Sequence, residues 1–517
     1  MKYCLLHLGC QMNMSDSERI RSVVEAMGYE RTESEEEADL LGIVACSVRQ
    51  KAIDKVYSKI SKWNDWKQER SLVTFVSGCI LPTDKEKFLT RFDMLFTIQE
   101  LPDFPNMLRQ YGIATPLSAG ALDASVLGHD EPDYQQHSDA GAERAADQLA
   151  ASLGITTDPD KLTEADTPAG TGAATALAEV IPPDSADPKK GYWKVKPSYQ
   201  SKFDAYIPIQ NGCDKFCSFC AVPYTRGREV SRPSAEILAE VRDLVEHDYK
   251  SITLLGQNVN SYGLDRNGDE MDFPQLMREV GEIGRETGKE FWVYFTSPHP
   301  RDMTEELLEV IAEYPVLANQ IHLPIQSGDD KVLIKMHRQH NAERYRQVVA
   351  NVRRILPEAT LFTDIIVGFT GETEEQFQNT RKAIEEYRYN MAFIAMYSPR
   401  PGAASSRWAD DIDQDEKKRR LHELTEVLQQ VSREHNNAMI GRTVRLLVDR
   451  EDRKDGYLSG RTEGKLIVRF PVPDGIQPDH LIGSFVDVTI TAAANLSMEG
   501  ELIASREPAG SRQAVEV

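Results

Sequence analysis

The chain of 517 residues and 58.2 kDa is too long for one compact core, and at about 150 residues per domain it divides into about three units. Acidic residues outnumber basic ones 82 to 60, for a formal charge of -22 and a pI near 5.1, which excludes a general polyanion binder and confines any nucleic-acid contact to a local face. With 40% apolar and 27% charged residues and no run near the roughly 18 apolar residues of a membrane span, the sequence reads as globular, and the start MKYCLLHLGC is too short for the apolar core of a signal peptide, so a cytoplasmic protein is expected.

In chain order, Lys2 to Leu8 reads as a strand, followed by a capping box at Ser15-Asp16-Ser17-Glu18 and a helix carrying Ile20, Val23, Val24 and Met27. Leu40 to Ala45 is a second strand, then Cys46 and a helix with Ile53, Val56, Ile60 and Trp63. Leu72 to Val76 is a third strand, and Gly78-Cys79 comes just after it. Cys10, Cys46 and Cys79 thus follow three strands. In a parallel sheet the carboxyl ends share one edge, so the three thiols are expected to converge. This N-terminal unit is assigned to 1–115 and expected to be a Rossmann-like parallel α/β domain.

Residues 116–190 hold 14 acidic against 4 basic residues, and Tyr134 is their one aromatic. Such a segment buries too little apolar surface to offset its conformational entropy, and it is expected to be a disordered insert or linker. From residue 191 to 440 strand and helix signals alternate again. The strands are placed at 203–210, 252–259, 290–297, 320–327, 360–369 and 392–398, and six sequential units favour a partial (βα)6 barrel. Gln257, Asn258, Asn260, Ser297, His299, Gln326, Ser327 and Ser398 fall at or beyond strand ends, the functional edge of such a barrel. A helix over 414–439 closes it. Short alternating strands at 444–448, 457–461, 465–470 and 485–490 then describe a small β-barrel over 441–506, with a frayed tail at 507–517.

Seven cysteines is an odd number and too few for a disulfide framework in a chain of this length. Cys213, Cys217 and Cys220, spaced four and three apart after the first barrel strand, suit three irons of a 4Fe-4S cluster and leave the fourth open. A zinc site would want a fourth ligand nearby, and the nearest histidine, His247, is 27 residues on from Cys220 in an expected helix. Cys4 is read as a buried small hydrophobe.

The CxxxCxxC motif with Phe219 before its third cysteine resembles the radical S-adenosylmethionine enzymes. Gly9-Cys10-Gln11-Met12-Asn13, Ile209 to Cys213, Pro223-Tyr224-Thr225-Arg226-Gly227-Arg228-Glu229-Val230-Ser231-Arg232-Pro233, Leu254 to Tyr262, His322 to Gly328, Thr363 to Phe369 and Tyr397 to Gly402 narrow the resemblance. They are similar to the methylthiotransferases, and within them to the tRNA 2-methylthio-isopentenyladenosine synthases. Around the first triad the chain carries Val44-Ala45 and Leu81-Pro82 where the family usually shows Asn-Thr and Ala-Gln.

The resemblance implies two 4Fe-4S clusters, an auxiliary one on Cys10, Cys46 and Cys79 and a radical one on Cys213, Cys217 and Cys220. It implies two S-adenosylmethionines per turnover, as methyl donor and radical source, and addition of a methylthio group to carbon 2 of an isopentenylated adenosine beside the tRNA anticodon. The C-terminal module resembles the TRAM domain, an RNA-binding β-barrel. Phe219, Gln257 and Gln326 are expected near S-adenosylmethionine, and Arg226, Arg228 and Arg232 near substrate RNA, with helix-start salt bridging to Glu229 and Glu236 as the alternative for the arginines. Other expected partners are an electron donor such as a flavodoxin or ferredoxin and a sulfur source, with the chain a monomer. A sister enzyme acting on threonylcarbamoyladenosine or on a ribosomal-protein aspartate is the nearest alternative. A non-catalytic iron-sulfur or zinc RNA-binding protein is the alternative of a different class.

Overall fold

The computed structural model describes residues 1–47, 50–110, 191–473 and 475–503. The segment 116–190 and the tail 507–517 lie outside the described residues, and with them the expectations made for both. The N-terminal unit is a parallel sheet of β1 (Lys2–His7), β2 (Glu30–Arg31), β3 (Leu40–Cys46), β4 (Val73–Cys79) and β5 (Met94–Leu95), in the order β2-β1-β3-β4-β5. β3 is buried along its whole length, which is why LLGIVAC is an unbroken apolar run rather than an alternating one. Helix α1 (Gln11–Ala26) covers one face through Ile20, Val23 and Val24, and α2 (Gln50–Trp66) covers the other through Ile53, Val56, Ile60 and Trp63. Cys4 is buried in the second of these cores.

Two details differ from expectation. Helix α1 starts at Gln11, not after Ser15, because Cys10 occupies the N-cap and its backbone N–H donates to Asn13 Oδ1 at 3.4 Å. Ser15 and Asp16 are instead buried one turn in, facing the rest of the molecule. Residues 191–195, assigned to the barrel, complete the N-terminal core: Tyr192, Trp193 and Val195 pack with Phe75, Phe104 and Leu108.

The central unit has β6 (Asp204–Pro208), then β7 (Gln210–Asn211) and β8 (Val230–Ser231), which pair antiparallel and bracket the second cysteine cluster. β9 (Ser251–Leu255), β10 (Trp292–Phe295), β11 (Gln320–His322), β12 (Thr360–Val367) and β13 (Met391–Met396) follow. They form two parallel three-stranded sheets, β10-β9-β6 and β11-β12-β13, linked by a bridge between Val293 and Leu317. The six strands stand in sequence order around an open barrel, with helices such as Ser234–Glu246 and Phe273–Thr287 outside. A helix at Gln414–Asn437 packs Leu424 and Leu428 into the barrel core. The strands are shorter than expected at their carboxyl ends, where the polar residues already belong to loops.

The C-terminal unit is a closed barrel of β14 (Thr443–Glu451), β15 (Tyr457–Thr462), β16 (Ile467–Pro471), β17 (Phe485–Ala493) and β18 (Met498–Leu502), in the order β14-β15-β16-β18-β17. Among the described residues no helix is long and apolar enough to cross a membrane.

Candidate active site

The parallel register of β3 and β4 sets Cys46 opposite Cys79, and Cys10 caps α1 at the same sheet edge. The edge is tightly built. A Cβ added to Gly9 would lie 2.9 Å from Cys46 Cβ, and one on Gly78, whose φ is +104°, would lie 2.4 Å from the Ala45 carbonyl oxygen. Asn13 Nδ2 donates to that same carbonyl at 2.8 Å, fixing α1 against the cysteine loops. Burial pushes the Cys79 thiol up to about 12, with Arg226 opposing the rise and Cys46 and Cys10 adding to it. Leu81 is buried beside this edge and Pro82 opens the helix Pro82–Leu89, so the unusual pair forms a helix start.

Cys213, Cys217 and Cys220 occupy the loop between β7 and a short helix at Val222–Thr225. Gly212, with φ +80°, admits the Arg228 carbonyl oxygen where a side chain would sit 2.0 Å from it. The loop is pinned through Ser218, whose N–H donates to Met336 O at 2.9 Å and whose hydroxyl donates to Lys335 O at 2.8 Å. Burial pushes Cys213 to about 11 and Cys220 to about 12. Arg338 Nη1 reaches Cys217 Sγ at 3.5 Å while its Nη2 donates to Pro324 O at 3.0 Å.

Each triad therefore gathers two buried thiols and one partly buried one, with a guanidinium against one sulfur, a donor set that suits an anionic iron-sulfur cluster. The described residues contain no group of three or more His, Cys, Asp or Glu side chains arranged to hold a metal ion. A four-iron cluster asks something different, one thiolate for each of three irons.

Beside the second triad lies a buried polar region with unsatisfied atoms. Gln210 Oε1, Gln257 Oε1, Asn258 Oδ1, His299 Nε2 and His340 Nε2 have no hydrogen-bond partner, which is the condition of a pocket built to receive a polar ligand. His299 is held by Asn260, which accepts from its N–H at 2.8 Å and donates to its carbonyl at 2.9 Å. Burial and the neighbouring Arg338 hold its imidazole far below the usual range, hence neutral. Ser297 and Gln326, just beyond β10 and β11, and Phe216 within the cysteine loop adopt positive φ without being glycine. Such strain concentrates at working sites. Gln326 is held by a bridge to Ile365, and Phe219 lies edge-on to Phe369 at 6.5 Å.

The three arginines part company. Arg228 is exposed, pairs with Asp214 at 2.7 Å and lies 5.5 Å over the Phe216 ring. Arg226 and Arg232 are buried, which corrects the expectation that they face RNA. Arg232 binds Glu240, Glu236 and the Trp193 carbonyl oxygen, close to the salt-bridging alternative. Arg226 points back to the first triad: its Nε donates to Cys79 Sγ at 2.9 Å. His340 is half-buried with its ring 5.5 Å from that of His299. Sequence reasoning also missed Arg338, Lys215 and Glu229. Lys215 pairs with Asp302 at 2.6 Å, and burial lifts the Glu229 carboxyl to about 7. Lys215 and Glu229 stand near the cysteine motif in sequence, which was the available signal, whereas Arg338 is 121 residues from Cys217.

Comparison with known proteins decides the family. Residues 207–384 match the radical SAM superfamily, 2–98 match an uncharacterized protein family, UPF0004, and 437–503 match the TRAM domain. A tRNA-2-methylthio-N(6)-dimethylallyladenosine synthase of Geotalea uraniireducens is 34% identical over 96% of this chain and 97% of its own. The protein of the same name from Geobacter metallireducens is 35% identical over 96% of both. The chain belongs to this synthase family. As a radical SAM family member it uses a 4Fe-4S cluster and S-adenosylmethionine. Among solved structures, a radical S-adenosylmethionine methyltransferase from Kitasatospora setae has a TM-score of 0.43 at 13% identity, covering 93% of this chain and 82% of that one.

Proposed function

We propose that this synthase-family member adds a methylthio group to carbon 2 of an isopentenylated adenosine beside the tRNA anticodon. The observation that carries the reading is the pair of thiol triads, one at the sheet edge and one at the barrel mouth, with Arg226 of the barrel loop donating to Cys79 of the first. On this reading Cys10, Cys46 and Cys79 hold an auxiliary 4Fe-4S cluster and Cys213, Cys217 and Cys220 the radical one. When bound, the clusters and two S-adenosylmethionines per turnover supply electron transfer, hydrogen abstraction and delivery of sulfur and methyl.

The chain's own residues position and shield this chemistry. Gln257, Asn258 and the neutral His299 offer unpaired polar atoms to S-adenosylmethionine, with Phe219 and Gln326 nearby on the same barrel edge. Exposed Phe216 within the cysteine motif and Tyr224 just beyond it, 40% and 46% accessible, stand with Arg228 and suit unstacked bases of an anticodon loop. The C-terminal barrel adds a further RNA contact. A flavodoxin or ferredoxin supplies electrons, a separate donor supplies sulfur, and the enzyme works as a monomer in the cytoplasm.

The test is the nucleoside profile of tRNA from a strain lacking the gene. Methylthio-isopentenyladenosine should vanish and isopentenyladenosine accumulate, with both restored by the intact gene. An unchanged level of the methylthio nucleoside overturns the reading, and loss of a methylthiolated threonylcarbamoyladenosine instead would assign the other tRNA substrate.

A further inference from the structure

Arg226 is six residues beyond Cys220, on the barrel loop, yet every contact of its guanidinium runs toward the N-terminal unit or to the strand beside it. Nε donates to Cys79 Sγ at 2.9 Å, Nη2 to Asp16 Oδ2 at 2.5 Å and Nη1 to Asn211 Oδ1 at 3.1 Å. The Arg226 carbonyl oxygen accepts from Asn211 Nδ2 at 3.3 Å, so the residue is clamped at both ends. Arg226 and Asp16 are both almost fully buried, and a buried cation without a partner would be costly. The partners here are a carboxylate and a cysteine sulfur.

We propose that Arg226 is a positioning residue for the auxiliary site, fixing it against the barrel and setting the reduction potential of the cluster bound at Cys79, with Asp16 as the counter-charge that limits the effect. The inference rests on the reading of Cys10, Cys46 and Cys79 as cluster ligands. Hydrogen bonds to cluster sulfurs and local charge set the potential of such centres. A guanidinium donating to a cysteine sulfur withdraws electron density and favours the reduced cluster, and a carboxylate behind the guanidinium works against it. Electrostatic control therefore makes opposite predictions for the two residues. A purely structural role makes none, because loss of either would loosen the same contact.

The experiment uses the full chain with C213A, C217A and C220A, reconstituted anaerobically so that only the auxiliary site can load. Iron content is measured first, and the midpoint potential is then followed by electron paramagnetic resonance. Arg226→Gln should shift the potential to more negative values, Asp16→Asn should shift it to more positive values, and Arg226→Lys should remain near the unmodified site. Shifts of the same sign, or none in any variant that retains iron, overturn the role of Arg226. Should Arg226→Gln fail to load, the sign of the Asp16→Asn shift decides alone: positive supports the proposal, negative or none overturns it. No iron in the parent triple variant would overturn the cluster reading itself, a different failure.

Discussion

Glu18 is a carboxyl group that folding removes from water while giving it little in return. It sits on α1, where one carboxylate oxygen accepts the Gln200 N–H at 3.1 Å and the other has no partner. Burial lifts it from 4.5 to about 7, against the opposing pull of that hydrogen bond and of Arg19 and Arg21, with Asp204 adding a small rise. Because the folded-state value is raised, the stability linked to protonated Glu18 is complete below about pH 4.5 and is lost as the pH climbs through about 7. At 1.36 kcal/mol per unit the loss approaches about 3 kcal/mol above pH 7. Glu18→Gln keeps the neutral form at every pH, so thermal melts from pH 5 to pH 8 should show a higher Tm than the natural chain at pH 8 and a flatter slope. Parallel slopes would rule this out. At this scale the sequence discloses the proposed cluster cysteines better than the residues around them: spacing marked Cys213, Cys217 and Cys220, and strand ends marked Cys10, Cys46 and Cys79. It could not rank Arg226, Arg228 and Arg232, because the partner that distinguishes Arg226 is Cys79, 147 residues away.

Among the elements, the turn between β15 and β16 does more than close a hairpin. The Glu463 carboxylate accepts the Asn319 N–H at 2.9 Å, the Gly464 carbonyl accepts from Thr360 Oγ1 at 2.7 Å, and the Lys465 ammonium lies 4.0 Å over the Tyr294 ring. Asn319 and Thr360 stand at the entry ends of β11 and β12, so the C-terminal barrel plugs the central one at the end opposite the cysteines. A Cβ on Gly464 would meet Thr360 Cγ2 at 2.5 Å and Oγ1 at 2.8 Å, and a β-branched side chain has little freedom to withdraw. Gly464→Ala should therefore cost about 1 to 3 kcal/mol of docking, seen as faster amide exchange across β15 and β16, with Thr360→Ala in the same chain recovering part of it. Unaltered exchange in the single variant would show that the turn does not hold the barrels together. β18 escaped the sequence reading because Met498–Leu502, MEGEL, has no β-branched or aromatic residue and carries Gly500 at its centre. Only its neighbours β16 and β17 make it a strand, through pairings such as Val468 with Met498 and Ile490 with Gly500.

For the molecule as a whole, what stands on either side of residues 111–190 matters more than the acidity between them. Ile98, Leu101, Phe104 and Leu108 before residue 111 and Tyr192, Trp193 and Val195 after residue 190 share one core with Ile20, Val23 and Val24. Residues on both sides of 111–190 therefore belong to one core before the chain crosses to β6. Ser22 Oγ donates to Lys196 O, and Ser198 N–H donates to Glu18 O at 3.0 Å, so the crossing is itself pinned to α1. The excess of 14 acidic over 4 basic residues in 116–190 then carries nearly half of the net charge without contributing to either thiol triad. Replacing 116–185 with about ten Gly and Ser residues should leave iron content and tRNA methylthiolation within twofold of the full chain. Shortening the connection 111–190 about fourfold lowers its closure cost by about 1 kcal/mol, so the Tm should hold or rise slightly. Retained iron with lost methylthiolation would instead give the segment a part in tRNA binding, and lost iron would make it necessary for the N-terminal core.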